Sequence, residues 1–228
     1  MKWNVQLLKK TELILNSEIN RWLIGSMLFS VTLILFRIAY TRELTFIFLV
    51  WNLFLAFIPY SISTLIQMSF SSTTNKWKLA IPLMSWLLFI PNSFYIITDL
   101  FHLGISNMPI WFETALLLSF AWNGLILGIL SVRQIEKVIQ KVLPKMNEYV
   151  FLIPVMCLNA FGIYIGRFLR FNSWDVISNP FALAVDITNL IIHPIAYKNA
   201  WAMITCYAVL MTFIYLIIKR INPPAYQN

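Results

Sequence analysis

Asp99 and His102 stand three residues apart near the end of an apolar run, Phe89 to Leu103 (FIPNSFYIITDLFHL). If that run is helical beyond Pro91, then Asn92, Tyr95, Asp99 and His102 follow at spacings of three, four and three and share one helix face. An acid and a histidine so placed suit general-base chemistry, which makes Asp99 and His102 the candidate catalytic pair. Asn92 and Tyr95, on the same face, are candidate substrate-binding residues. Polar groups inside an apolar segment cost free energy unless partners or water meet them, so the stripe marks a functional site.

Further along the chain, Arg167 and Arg170 share a helix face and are followed by Asn172, Trp174 and Asp175. Guanidinium forks match phosphate oxygens, and tryptophan suits a membrane interface. Glu113 and Asn123 place an acid and an amide in another apolar run. Glu113, Asn123, Arg167, Arg170, Trp174 and Asp175 therefore join the candidate binding set. Three chemistries remain open. A divalent metal would take Asp99, His102 and His193, with Asp186 or Glu113 completing a hard or borderline set, although no HExxH-type signature is present. An anionic lipid or phosphate group would take the arginines. In a purely structural arrangement the charges pair with one another, and Asn92, Tyr95 and Asn123 tie helices together.

The elements that must position these residues are written in the composition. The 228 residues are 60% hydrophobic and only 11% charged, with a mean hydropathy of +0.75. Soluble domains carry about 25% charged residues, and no soluble fold hides so much apolar surface. The expectation is an all-α polytopic membrane protein with six spans, near 22–39, 44–66, 79–100, 110–132, 149–168 and 200–218. Residues 1–21 form a basic amphipathic N-terminus at the surface, 22–218 a single membrane domain and 219–228 a tail. The N-terminal region has no small-residue cleavage site, so the first span is read as retained. Pro59 should kink the second span, and Arg37 should snorkel from the end of the first. Residues 133–148 read as a charged loop. Residues 181–195 read as a short interfacial or re-entrant helix. Cys157 and Cys206 sit in apolar runs, without a CxxC or zinc spacing, and read as packing residues. Gly124 and Gly128, and likewise Gly162 and Gly166, are spaced for close helix approach.

Six spans put both termini on one side. Of the 17 basic residues only Arg37, Arg42, Arg167, Arg170 and Lys198 fall on the other. The positive-inside rule then makes both termini cytoplasmic and turns the candidate site outward. The formal charge of +8 flanks apolar runs rather than forming one patch. Anionic lipid head groups are therefore the expected partners, and nucleic acid is not.

Four blocks carry a resemblance: PNSFYIITDLFHL at Pro91–Leu103, WFE at Trp111–Glu113, AWNG at Ala121–Gly124 and GRFLRFNSWD at Gly166–Asp175. Together they resemble a family of bacterial multi-pass membrane proteins catalogued as a domain of unknown function, over most of residues 80–215. Glu113 departs from the aspartate more usual at that place but keeps the acid. The resemblance implies a bacterial cytoplasmic-membrane protein and no particular reaction. The expected function is binding or modification of a lipid-linked or envelope substrate at an outward-facing polar site. A small transporter or channel and a substrate-free assembly protein are the alternatives, and neither an enzyme nor a binding protein is favoured.

Overall fold

A computed structural model describes residues 18–69, 77–105 and 108–221. The amphipathic N-terminus falls almost wholly outside the described residues, as does most of the tail. Long runs of Leu, Ile and Phe, broken by short polar or proline-bearing stretches, fold into α1 (Glu18–Thr41), α2 (Phe48–Ser69), α3 (Trp77–Tyr95), α4 (Ile110–Val142), α5 (Glu148–Arg167), α6 (Asp175–Ser178), α7 (Pro180–Ile192) and α8 (Lys198–Ile221). A 3-10 segment, Ile96–His102, continues α3. Six helices are long and apolar enough to cross a membrane: α1, α2, α3 with its 3-10 extension, α4, α5 and α8. A helix satisfies its own backbone, which is what hydrocarbon demands. The chain is an all-α, multi-pass membrane protein.

Helix α4 is the hub. In its most apolar stretch 61% of residues are buried, against 22% in α1 and in α8. On one flank, Leu49, Leu53, Leu116 and Phe120 knit α2 to α4, with Ile34 of α1 completing that core. On the other, Trp86, Ile90 and Phe94 of α3 meet Ile129 and Val132 of α4, Met156 of α5 and Met211 of α8. Serine hydroxyls add directional contacts between spans. Ser131 donates to the carbonyl of Pro59 at 3.0 Å, and the indole N–H of Trp86 donates to Ser131 at 2.7 Å.

Three local readings change. Helix α4 does not stop near 132 but runs on to Val142. Its charged continuation is amphipathic: Ile135, Glu136 and Val138 are buried, while Lys137, Gln140 and Lys141 are exposed. Helix α2 begins at Phe48 rather than Leu44, after a turn over residues 45–47. Arg37 does not snorkel. It is wholly buried, with its guanidinium 4.6 Å from the centre of the Phe46 ring and donating to the carbonyl of Glu43 at 3.3 Å. The turn after α1 folds back over it and supplies both groups. Helix α7 is the short apolar helix expected near 181–195. Only its Leu190 is buried, so it is not enclosed by the spans, and the carbonyl of Leu190 accepts from Trp201 of α8.

Candidate functional site

The end of α3 is gripped from two sides. A Cβ on Gly124 would stand 2.6 Å from the carbonyl oxygen of Ser93, and one on Gly128 2.9 Å from the Phe94 ring. From the opposite side, a Cβ on Gly162 would stand 2.6 Å from Cγ of Pro91. Both glycine pairs thus clamp one stretch, Pro91 to Ile96, with α4 on one side and α5 on the other. Pro91 removes a helical N–H, and Asn92 donates to the carbonyl of Phe89 at 3.0 Å and to the hydroxyl of Ser173 at 2.9 Å. Ser173 in turn donates to the carbonyl of Leu88 at 3.2 Å. The chain can return there because Arg170 adopts φ 61°, a left-handed turn that reverses the direction of the segment after α5.

Beyond Tyr95 the helix tightens to 3-10, where side chains at i and i+3 eclipse. That geometry stacks Asp99 and His102 toward Arg167 of α5. Asp99 is fully buried. Its Oδ2 accepts from the amide of Asn52 on α2 at 2.8 Å, and its Oδ1 from Nη1 of Arg167 at 3.4 Å. Nη2 of Arg167 lies 3.2 Å from Nδ1 of His102. Nδ1 also lies 3.2 Å from the backbone carbonyl oxygen of Asp99 and Nε2 lies 3.5 Å from the same Nη2, so either ring nitrogen can accept from the guanidinium while the other carries the proton. Arg167 also lies 6.0 Å from the centre of the Tyr95 ring and 5.6 Å from that of Phe101. The 3-10 segment, α2 and α5 are therefore locked together through one carboxylate.

Beside this cluster lies a cavity of about 160 Å³. Asn52, Pro91, Asn92 and Tyr95 form its inner side, Gly162 and Gly166 one wall, and Phe171, Asn172 and Ser173 the returning segment. Trp51 and Val176, 52% and 44% exposed, also line it, so the cavity reaches the lateral surface of the bundle. Asp99 and Arg167 do not line it. Asn52 and Tyr95 touch both the cavity and the charged cluster.

The remaining candidates are dispersed. Glu113 is buried in the first turn of α4, where it accepts from the backbone N–H of Gly104 at 2.9 Å and closes the preceding loop. Asn123 faces α1, donating to Ser30 at 2.9 Å and to the carbonyl of Ser26 at 3.2 Å. Arg170 and Trp174 are exposed and flank in sequence the Phe171–Ser173 stretch that lines the cavity, without lining it themselves. Asp175 accepts from the Asn172 backbone N–H at 2.6 Å and from the Ser178 hydroxyl at 2.8 Å, and these bonds hold its carboxyl below the ordinary value. His193 is exposed at the end of α7. Among the described residues no group of three or more His, Cys, Asp or Glu side chains could hold a metal ion. Asn52 is absent from the residues that spacing alone singles out. A lone amide inside an apolar span must find a polar partner, and that requirement is the signal that could have found it.

At the opposite end of the bundle, Glu136 of α4 accepts from Tyr215 and, at 2.6 Å, from Lys219, both on α8; Lys219 also donates to Glu148 of α5. No curated protein and no solved structure matches the chain. Residues 51–217, from the first wall of the cavity to the far end of α8, match the family described as protein of unknown function (DUF1361), and the chain belongs to that family.

Proposed function

We propose that the protein binds or modifies a lipid-linked or envelope substrate at the outer leaflet of the bacterial cytoplasmic membrane, with both termini cytoplasmic. The observation that carries this reading is the cavity beside the Asp99–Arg167–His102 cluster, reaching the side of the bundle past Trp51 and Val176. A ligand anchored in the bilayer could place its head group there without leaving the membrane plane. The charge distribution supports the orientation. Arg170, exposed and next in sequence to Phe171 of the lining, is free to meet an anionic phosphate outside the cavity, while Arg167, already paired with Asp99, holds the inner wall in place. Asp99 is sealed away from the cavity, so it acts through Asn52 and Arg167. His102, half-buried, is the better placed of the two for proton transfer. Transport is less well supported, because the serine cluster around Ser131 is spent on helix contacts.

The test is lipid mass spectrometry on purified wild type, Asp99→Asn and Arg167→Ala. A species that travels with the wild type and is lost from both variants is the expected result. Identical bound species in all three, with equal folding, would leave only the structural arrangement standing.

A further inference from the structure

The polar atoms that the cavity leaves unused combine amide oxygens that accept with a few donors, the Trp51 indole N–H, the Tyr95 hydroxyl and the second Asn52 amide hydrogen. Both hydrogens of the Asn92 amide have partners, in Phe89 and Ser173, and both partners lie on the nitrogen side. The Asn52 nitrogen must face the acceptor-only carboxylate of Asp99. These partners, rather than any convention, decide which way each amide points. The carbonyl oxygens of Asn52 and Asn92 then make no hydrogen bond among the described residues, and neither is sealed in the interior. Asn172 offers a third amide oxygen, and the Tyr95 hydroxyl is likewise without a partner among the described residues. Among the described residues no charged side chain lines the space. Trp51, Tyr95 and Phe171 present aromatic faces to it, beside aliphatic Leu55, Leu88 and Val176.

An anion would find no cationic side chain in the lining to balance its charge and would lie against the amide oxygens. An ammonium would find acceptors but no carboxylate, since Asp99 is committed to Arg167 and Asn52, and the Arg167 guanidinium already lies over the Tyr95 ring. A neutral group with several hydroxyls satisfies both features. Its O–H groups donate to the amide oxygens, and its C–H faces lie against the electron-rich aromatic rings. From this we infer that the cavity takes the sugar ring of a glycosylated lipid. The inference rests on the reading that a membrane-anchored ligand reaches the cavity, and it names that ligand's head group.

Purified protein in phosphatidylcholine nanodiscs, doped in turn with monoglucosyl-diacylglycerol, phosphatidylethanolamine or phosphatidic acid of matched acyl chains, gives a direct readout. Native mass spectrometry counts the lipid that stays with the protein. The glucosyl lipid should be retained above the other two. Asn172→Ala and Trp51→Leu, both at exposed positions, should reduce that retention by about three- to tenfold, the effect of losing one hydrogen bond or one stacking wall. Thermal unfolding of each variant checks that the fold survives. Preferred retention of phosphatidic acid or phosphatidylethanolamine would overturn the sugar assignment and leave the lipid-site reading intact. Equal retention of all three would overturn both. Glucosyl retention untouched by either variant would place the lipid elsewhere and also sink the inference.

Discussion

The two ends of the bundle each bury a carboxylate against a basic residue, yet they differ in what is left over. At one end both oxygens of Glu136 are taken, Oε1 by Lys219 and Gln140 and Oε2 by Tyr215. At the other, Asp99 is equally satisfied, but the amides and the tyrosine around it keep unused atoms facing a cavity. Buried charge alone therefore does not mark a site, because a closed ion pair that joins three helices is a fastening. Spare hydrogen-bonding capacity beside open space is what separates the Asp99 end from the Glu136 end.

The largest expected effect falls on the fastening. Glu136→Ala strips Tyr215 of its partner and leaves Lys219 with Glu148 alone, and breaking a buried pair costs up to about 3–5 kcal/mol. Thermal unfolding of purified protein should show a large loss of stability, while the lipids carried by the remaining folded protein stay the same. A change in bound lipid would erase the contrast between the ends. Gly162→Leu comes next. The added side chain must displace Pro91, an overpacking of about 1–3 kcal/mol. Unlike Glu136→Ala, it should reduce lipid retention as well, since Pro91 and Gly162 both line the cavity. Wild-type retention with lowered stability would show that the clamp does not shape the site.

Asn123→Ala removes a contact between α4 and α1 worth about 1 kcal/mol. It should lower the unfolding temperature slightly and leave lipid retention unchanged, as fits a residue turned away from the cavity. The smallest effect is at Asp175. Its carboxyl is held below the ordinary value when folded, so its contribution is present above the unfolded pKa and is lost as pH falls through the depressed one. Asp175→Asn should therefore be slightly less stable than wild type at neutral pH. Below about pH 3.5, where the ordinary carboxylate is largely protonated, the difference should shrink. A gap that persists undiminished in acid would mean that the side chain acts through shape rather than charge.

Much of this was legible in the sequence, for a physical reason. Hydrocarbon forces every span to be apolar and helical, so the six spans and the short helix near 181–195 announce themselves. The i, i+3 spacings of Asp99 with His102 and of Arg167 with Arg170 also picked out two segments that meet. What spacing does not carry is direction between helices. Arg167 turns inward to Asp99 while Arg170, three residues on, is exposed past the helix end, because α5 stops at Arg167. Asn123 and Asn52 are both single amides in apolar spans, and only packing decides that one meets α1 and the other Asp99. The extension of α4 is hidden because a charged stretch reads as a loop, although the buried Ile135 and Val138 keep helical register with the exposed lysines.

The paired glycines have a consequence for how this site could change its ligand. Positions 124, 128 and 162 have no room for a side chain, so the wall they press into place is closed to variation. Drift in the selectivity of the proposed site would be written in Trp51 and Leu55 of α2 and in Phe171 and Asn172 of the returning segment, since Asn52 and Ser173 are tied to Asp99, Asn92 and Leu88. The site thus has one fixed jaw and one editable jaw, and a designer who wished to retune it would leave α3 alone.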